Sequence, residues 1–237
     1  MSTFVLVHGA WHGGWCYKPV ARLLREAGHQ VYTPTLTGLG QRSHLMSPTI
    51  NLDTHVQDIV NVIRWEELSD IVLAGHSYGG MVITGVADQL PDKIRSLVYL
   101  DAFVPANGQA LTDFLPPELH AGMRDDARQN GDGYLMTPIP AEAFGVNQQD
   151  AAWVDRMCVK HPLICFEQKV SLTGAHAGVA KHTYVLATDY PLKGIFAAIA
   201  DRLRPHKKWK VVDLPCGHDV MLDMPRRTAD ILIAASA

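Results

Sequence analysis

The chain has 237 residues, 47% hydrophobic and 19% charged, with Lys+Arg 21 against Asp+Glu 24 for a formal charge of -3. That length allows one large domain or two small ones around a sizeable core, and the balance excludes general disorder and the basic field that would recruit nucleic acid or an anionic membrane. Four cysteines, Cys16, Cys158, Cys165 and Cys216, show no C-x-x-C spacing and are too few for a disulfide framework, which points to a reducing, cytoplasmic setting.

The first apolar run, Phe4-Val5-Leu6-Val7, begins almost at once, with none of the regions of an export signal ahead of it. No run reaches the roughly 18–20 apolar residues of a membrane helix. In chain order, the runs at 4–7, 30–33, 70–74, 94–100, 182–187 and 209–214 read as buried parallel strands. Helical patterns fall between and after them at 18–27, 52–68, 77–90, 192–203 and 225–235, with Gly28 and Pro91-Asp92 as stops. This alternation predicts an α/β fold with a doubly wound, mostly parallel six-stranded sheet. Residues 105–181 break the rhythm with Pro116-Pro117, Pro138, Pro140 and Pro162, and read as a cap inserted into a core formed by 1–104 and 182–237. The apolar residues of that segment, Phe114, Leu115, Met123, Met136, Phe144, Trp153, Met157, Leu163 and Phe166, read first as cap packing and second as a pocket wall.

Gly75-His76-Ser77-Tyr78-Gly79 matches G-x-S-x-G, which a chain of this length holds by chance roughly one time in ten. Its setting is more specific, because the apolar Ile71-Val72-Leu73-Ala74 precedes it and a helical pattern opens with Met81-Val82-Ile83. A strand-turn-helix elbow holds its serine at strained angles above the sheet, with small residues at Gly75 and Gly79; the plainer alternative is a helix N-cap. A serine hydroxyl is a poor nucleophile near neutral pH and needs a histidine to take its proton. Of 12 histidines, His218 lies on a loop after the last strand, in Leu214-Pro215-Cys216-Gly217-His218, where this architecture keeps its base. His8-Gly9-Ala10-Trp11-His12-Gly13-Gly14-Trp15 follows the first strand, so the amides of Ala10 and Tyr78 are the expected oxyanion donors, with Trp11 and Trp15 as packing residues. His8 and His12 are four apart but lie in a strand end and a glycine-rich loop, so no metal pair is expected.

These three motifs resemble the α/β-hydrolase superfamily, and within it the plant methyl-salicylate esterases and hydroxynitrile lyases with their bacterial esterase relatives, over nearly the whole chain. The resemblance implies an α/β-hydrolase core, no cofactor, no metal and a small-molecule ester as partner, and leaves monomer or homodimer open. By the same resemblance, lyase members carry Thr where this chain has Gly9 and Lys where it has Asp219, and an acid there would repel cyanide. The chain therefore reads as a serine carboxylesterase for small to medium carboxylic esters, with a C–C lyase or a non-turnover receptor as rivals. The plant pattern Thr-Glu-Asp appears as Thr188-Asp189-Tyr190, so Tyr190 stands in the acid's place and Asp189 is one residue out of register. Asp101, after Leu97-Val98-Tyr99-Leu100, resembles the acid of some haloalkane dehalogenases, and a buried Asp at a strand end needs a cationic partner. Asp101 is the preferred acid and Asp189 the alternative.

Overall fold

Strands rich in Val, Ile and Leu on both faces must be covered on both sides, which favours parallel pairing with helical crossovers. The computed structural model describes residues 1–237. Its first half runs β1 (Thr3–Val7), α1 (Lys18–Glu26), β2 (Gln30–Tyr32), α2 (Leu52–Trp65), β3 (Ile71–His76), α3 (Gly79–Gln89) and β4 (Ile94–Leu100). Then come α4 (Pro117–Asn130), β5 (Leu135–Met136), α5 (Ala151–Met157), β6 (His161–Pro162) and α6 (Ile164–Glu167). The chain returns to the sheet with β7 (Lys181–Ala187), α7 (Gly194–Leu203), β8 (Trp209–Leu214), α8 (Val220–Asp223) and α9 (Pro225–Ala235). The main sheet has six strands, all parallel, in the order β2-β1-β3-β4-β7-β8. The expected doubly wound sheet is present, with α1 packed on α9 and α2 on α3. No helix is long and apolar enough to cross a membrane.

Where boundaries differ from expectation, the local chemistry explains it. The helical pattern at 52–68 ends at Trp65, because Glu67 turns left-handed at φ +52°. Leu68 then donates to the Ile63 carbonyl and Glu67 to that of Arg64, a Schellman closure in which Leu68 is the apolar contact. An apolar residue on the helix's own face thus reads as helix while serving its stop. At the other end, Asn51 accepts the Thr54 amide at 3.0 Å and donates its own to Thr54 Oγ1 at 3.3 Å, a capping box.

Strand order reverses at β1, which lies between β2 and β3 with Val7 beside Gly75. Crevices open outside the carboxyl ends of strands at such a reversal. Residues 105–180, between β4 and β7, cover that edge with α4, α5, α6 and the antiparallel β5-β6 pair. They are tied down by backbone bonds from Val159 to Trp11 and from His218 to Phe144, and by the Gln168 side chain accepting the Leu52 amide at 2.8 Å.

Candidate active site

β3 ends in the turn that carries Ser77, whose φ of +53° is left-handed for a residue with a side chain. A Cβ on Gly75 would lie 2.6 Å from the Gly79 carbonyl oxygen, so the turn closes this tightly only with glycine there. Ser77 is therefore held outside the helix that follows it: α3 starts at Gly79 with Tyr78 as its N-cap, and the sequence pattern that began at Ser77 overran by two residues. The Tyr78 amide belongs to the unspent N–H groups at the positive end of that helix. Asp101, at the end of the neighbouring β4, is also left-handed at φ +45°, and Trp11 after β1 at φ +62°. Three strained residues thus sit at the ends of three adjacent strands, where backbone strain is most often stored for function.

His218 follows β8 and is 2% exposed beneath residues 105–180. Its Nδ1 lies 2.6 Å from Asp101 Oδ2, and Asp101 is fully buried. Asp101 Oδ1 accepts the Ala187 amide at 3.1 Å, while Tyr190 donates its hydroxyl to Oδ2 at 2.6 Å. The chain brings Asp101 to the imidazole; Asp189 is exposed, its amide donating to the Cys216 carbonyl. Phe144 and Phe196 cover the His218 ring with centroids at 5.0 and 4.9 Å. Ser77, His218 and Ala10 line one cavity, whose remaining walls are apolar: 13 of its 15 residues are hydrophobic. Trp11, Leu115, Met123, Phe144 and Phe166 belong to those walls, so Trp11, expected to be a packing residue, faces the cavity. Trp15 packs, stacked on His12 at 5.1 Å. A larger, polar groove between Pro117 and Glu167, on α4, holds neither Ser77 nor His218.

Sequence reading missed a buried ion pair behind the loop that follows β1. Both nitrogens of His12 face acceptors, the Ala10 carbonyl at 2.7 Å and Asp219 Oδ2 at 3.0 Å. Burial opposes the charged ring, yet the Asp219 carboxylate outweighs it and raises the His12 pKa well above its ordinary value. Burial likewise opposes the Asp219 charge, and His12 outweighs it, holding the carboxyl below the usual range. Asp219 does not line the cavity and its charge is balanced, so it does not repel an anion there as expected from sequence. The pair joins residues 207 apart, and only the departure at Asp219 hinted at it. Gly9 separates this chain from the lyase pattern more directly: a Cβ there would meet His76 Nδ1 at 2.8 Å and Ser77 Cβ at 3.0 Å.

His55, His161 and Cys165 bring possible metal-ligand atoms within 4.8 Å, a grouping that linear spacing does not reveal. Hydrogen bonds occupy both nitrogens of His55 and one of His161, whose buried Nε2 has no partner. His55 contacts the Tyr78 hydroxyl at 2.9 Å and the Thr37 carbonyl at 3.0 Å, and His161 Nδ1 accepts the Trp11 amide at 3.3 Å. His8 is spent similarly, between the Gly9 carbonyl and the Leu36 amide, and burial takes its pKa down to about 3.

A family model described as alpha/beta hydrolase family matches residues 4–231. The chain belongs to the alpha/beta hydrolase family. Within the family it is 49% identical to a carbendazim hydrolyzing esterase of a Nocardioides species, over 99% of each chain. It is 32% identical to putative methylesterase 11, chloroplastic, of Arabidopsis thaliana, over 78% of this chain and 51% of that one. Among solved alpha/beta hydrolases, an extracellular one from a Paenibacillus species superposes with a TM-score of 0.86 at 24% identity, covering 99% of both chains.

Proposed function

We propose that this carboxylic ester hydrolase works through Ser77, His218 and Asp101. The observation that carries the reading is the 2.6 Å contact between His218 Nδ1 and Asp101 Oδ2, beside a serine held at φ +53° in the same cavity. With Nδ1 committed to Asp101, Nε2 is the nitrogen left to take the Ser77 proton. Ser77 Oγ attacks the ester carbonyl, and the amides of Ala10 and Tyr78 receive the developing oxyanion. His218 returns the proton to the leaving alcohol, then activates water to release the acid from the acyl-enzyme. Asp101 fixes the imidazole tautomer and stabilises its charge.

Apart from the serine and the histidine, the cavity offers a substrate no charged or hydrogen-bonding side chain except the Trp11 indole, whose N–H already goes to the Met136 carbonyl. Carrying a carboxylate or ammonium into such walls is costly, so the substrate is a small to medium, uncharged ester with an apolar body. The similarity to a carbendazim hydrolyzing esterase makes carbendazim the first compound to try beside simple aryl and alkyl esters. The test is a fluorophosphonate label followed by peptide mapping and an ester panel. Label on Ser77 together with turnover of neutral esters supports the reading; label elsewhere, or a preference for charged esters, sinks it.

A further inference from the structure

We infer that the Tyr190 hydroxyl is a positioning group for the triad, holding the Asp101 carboxylate in line with His218 and tempering how strongly that carboxylate acts on the imidazole. This rests on the reading of Ser77, His218 and Asp101 given above. Tyr190 is 5% exposed, and its hydroxyl donates to Asp101 Oδ2 at 2.6 Å, the same oxygen that lies 2.6 Å from His218 Nδ1. The phenol oxygen is itself 3.3 Å from that nitrogen, which closes a triangle of the three groups. Asp101 Oδ1 is fixed separately by the Ala187 amide at 3.1 Å. Three donors on two oxygens set the plane of a carboxylate that would otherwise turn about its side-chain bond.

The chemistry of the phenol makes this more than packing. Burial first, and then the Asp101 charge, push the Tyr190 pKa far above its ordinary value, so the group keeps its single proton and gives it to Asp101. A hydrogen bond to an ionised carboxylate stabilises the charged form. Sharing Oδ2 between phenol and imidazole therefore lowers the carboxylate's pull on the imidazolium.

The other groups facing His218 are accounted for. His76, from β3, stands with its ring 4.5 Å away, kept neutral by burial and then by the imidazole itself. Asp219, next in the loop, is paired with His12. Asp223 accepts the Gly217 and Asn147 amides, and Asp189 is exposed. Tyr184, on β7, gives its hydroxyl to the Phe196 carbonyl at 3.4 Å, and burial pushes the Cys216 thiol up to about 12. Tyr190 is the group in this set that bonds to Asp101 as a donor and also touches Nδ1.

The test is the pH profile of kcat/KM on a neutral p-nitrophenyl ester for the wild type, Tyr190→Phe, and the chain carrying 3,5-difluorotyrosine at position 190. Phe removes the donor and should move the acid limb up by roughly half to one pH unit, with kcat down severalfold and KM within about twofold. The fluorinated ring keeps the shape and donates more strongly, so the limb should move down. If neither variant moves the limb, or both move it the same way, Tyr190 only packs and the inference falls. Should the Phe variant fold poorly, the fluorinated one decides. Turnover retained by Ser77→Ala would instead overturn the triad reading beneath it; an inert Ser77→Ala with an unmoved limb overturns the role of Tyr190 alone.

Discussion

At the residue scale the triad reading separates residues that look alike in sequence. Ser77→Ala removes the atom that carries the acyl group and should lower kcat on a p-nitrophenyl ester at least several hundredfold, with unchanged circular dichroism. Near wild-type turnover by that variant would end the elbow reading. The two aspartates make a sharper comparison. Asp101 is buried against the His218 ring, whereas Asp189 is exposed. Asn keeps the shape and removes the charge, so Asp101→Asn should cost up to roughly 10⁴ in kcat through the wrong tautomer and an unsupported imidazolium. Asp189→Asn should stay within about twofold. Steady-state kinetics on the two purified variants checks this, and the reverse ranking would move the acid to the turn after β7. The sequence could name both candidates but not choose by geometry. The choice depends on where a β4 rim residue and a loop 117 positions later meet.

At the element scale, the loop after β1 and the turn after β3 approach each other tightly at Gly9. Gly9 faces the buried His76 ring at a distance that no real Cβ keeps. Gly9→Thr should therefore destabilise the fold by about 1–3 kcal/mol, a Tm loss of several degrees, because His76 has no room to retreat. It should release no cyanide from mandelonitrile. A variant as stable as wild type that did release cyanide would place the barrier to lyase chemistry elsewhere. The central strands β1, β3 and β4 were legible as apolar runs buried on both faces, and the other three as shorter apolar stretches between turn residues; every one forms within about two residues of its expected span. The segment over the site was legible only as a break in rhythm. Its apolar residues carry no periodicity that tells cavity walls such as Met123 and Phe144 from packing residues such as Met157. The His12 and Asp219 clamp was hidden for a related reason: a contact between the first loop and the last leaves no mark on local pattern.

At the scale of the whole molecule, acid stability follows from how many imidazoles are buried neutral. Burial lowers His8 to about 3 and His55 and His182 to about 4, and takes His76 and His161 well below the ordinary value. A histidine with a lowered folded pKa contributes stability that is complete above its unfolded value, about 6.5, and is lost as pH falls toward the folded value, by up to about 1.4 kcal/mol per unit. His12 has the opposite sign: its raised pKa favours the folded chain below about 6.5, and the gain fades as pH rises through the folded value. Five groups against one leave a net loss on acidification, and one unit below 6.5 removes several kcal/mol from a net stability of about 5–15. The urea midpoint should therefore fall steeply below pH 6.5 and decline more gently above about pH 7, where the His12 contribution alone fades. His182 allows the origin of that slope to be tested away from the active site, because it lies at the start of β7, against Trp209 at 4.8 Å, with its Nδ1 unpartnered. Burial first, then Lys208 and His176, keep it neutral. His182→Gln should leave activity intact and reduce the proton uptake on unfolding between pH 6.5 and 4 by close to one. That number is read from the slope of unfolding free energy against pH. An unchanged slope would mean that His182 is protonated in the folded chain as readily as in the unfolded one, and that the acid sensitivity must be sought among the histidines nearer the site.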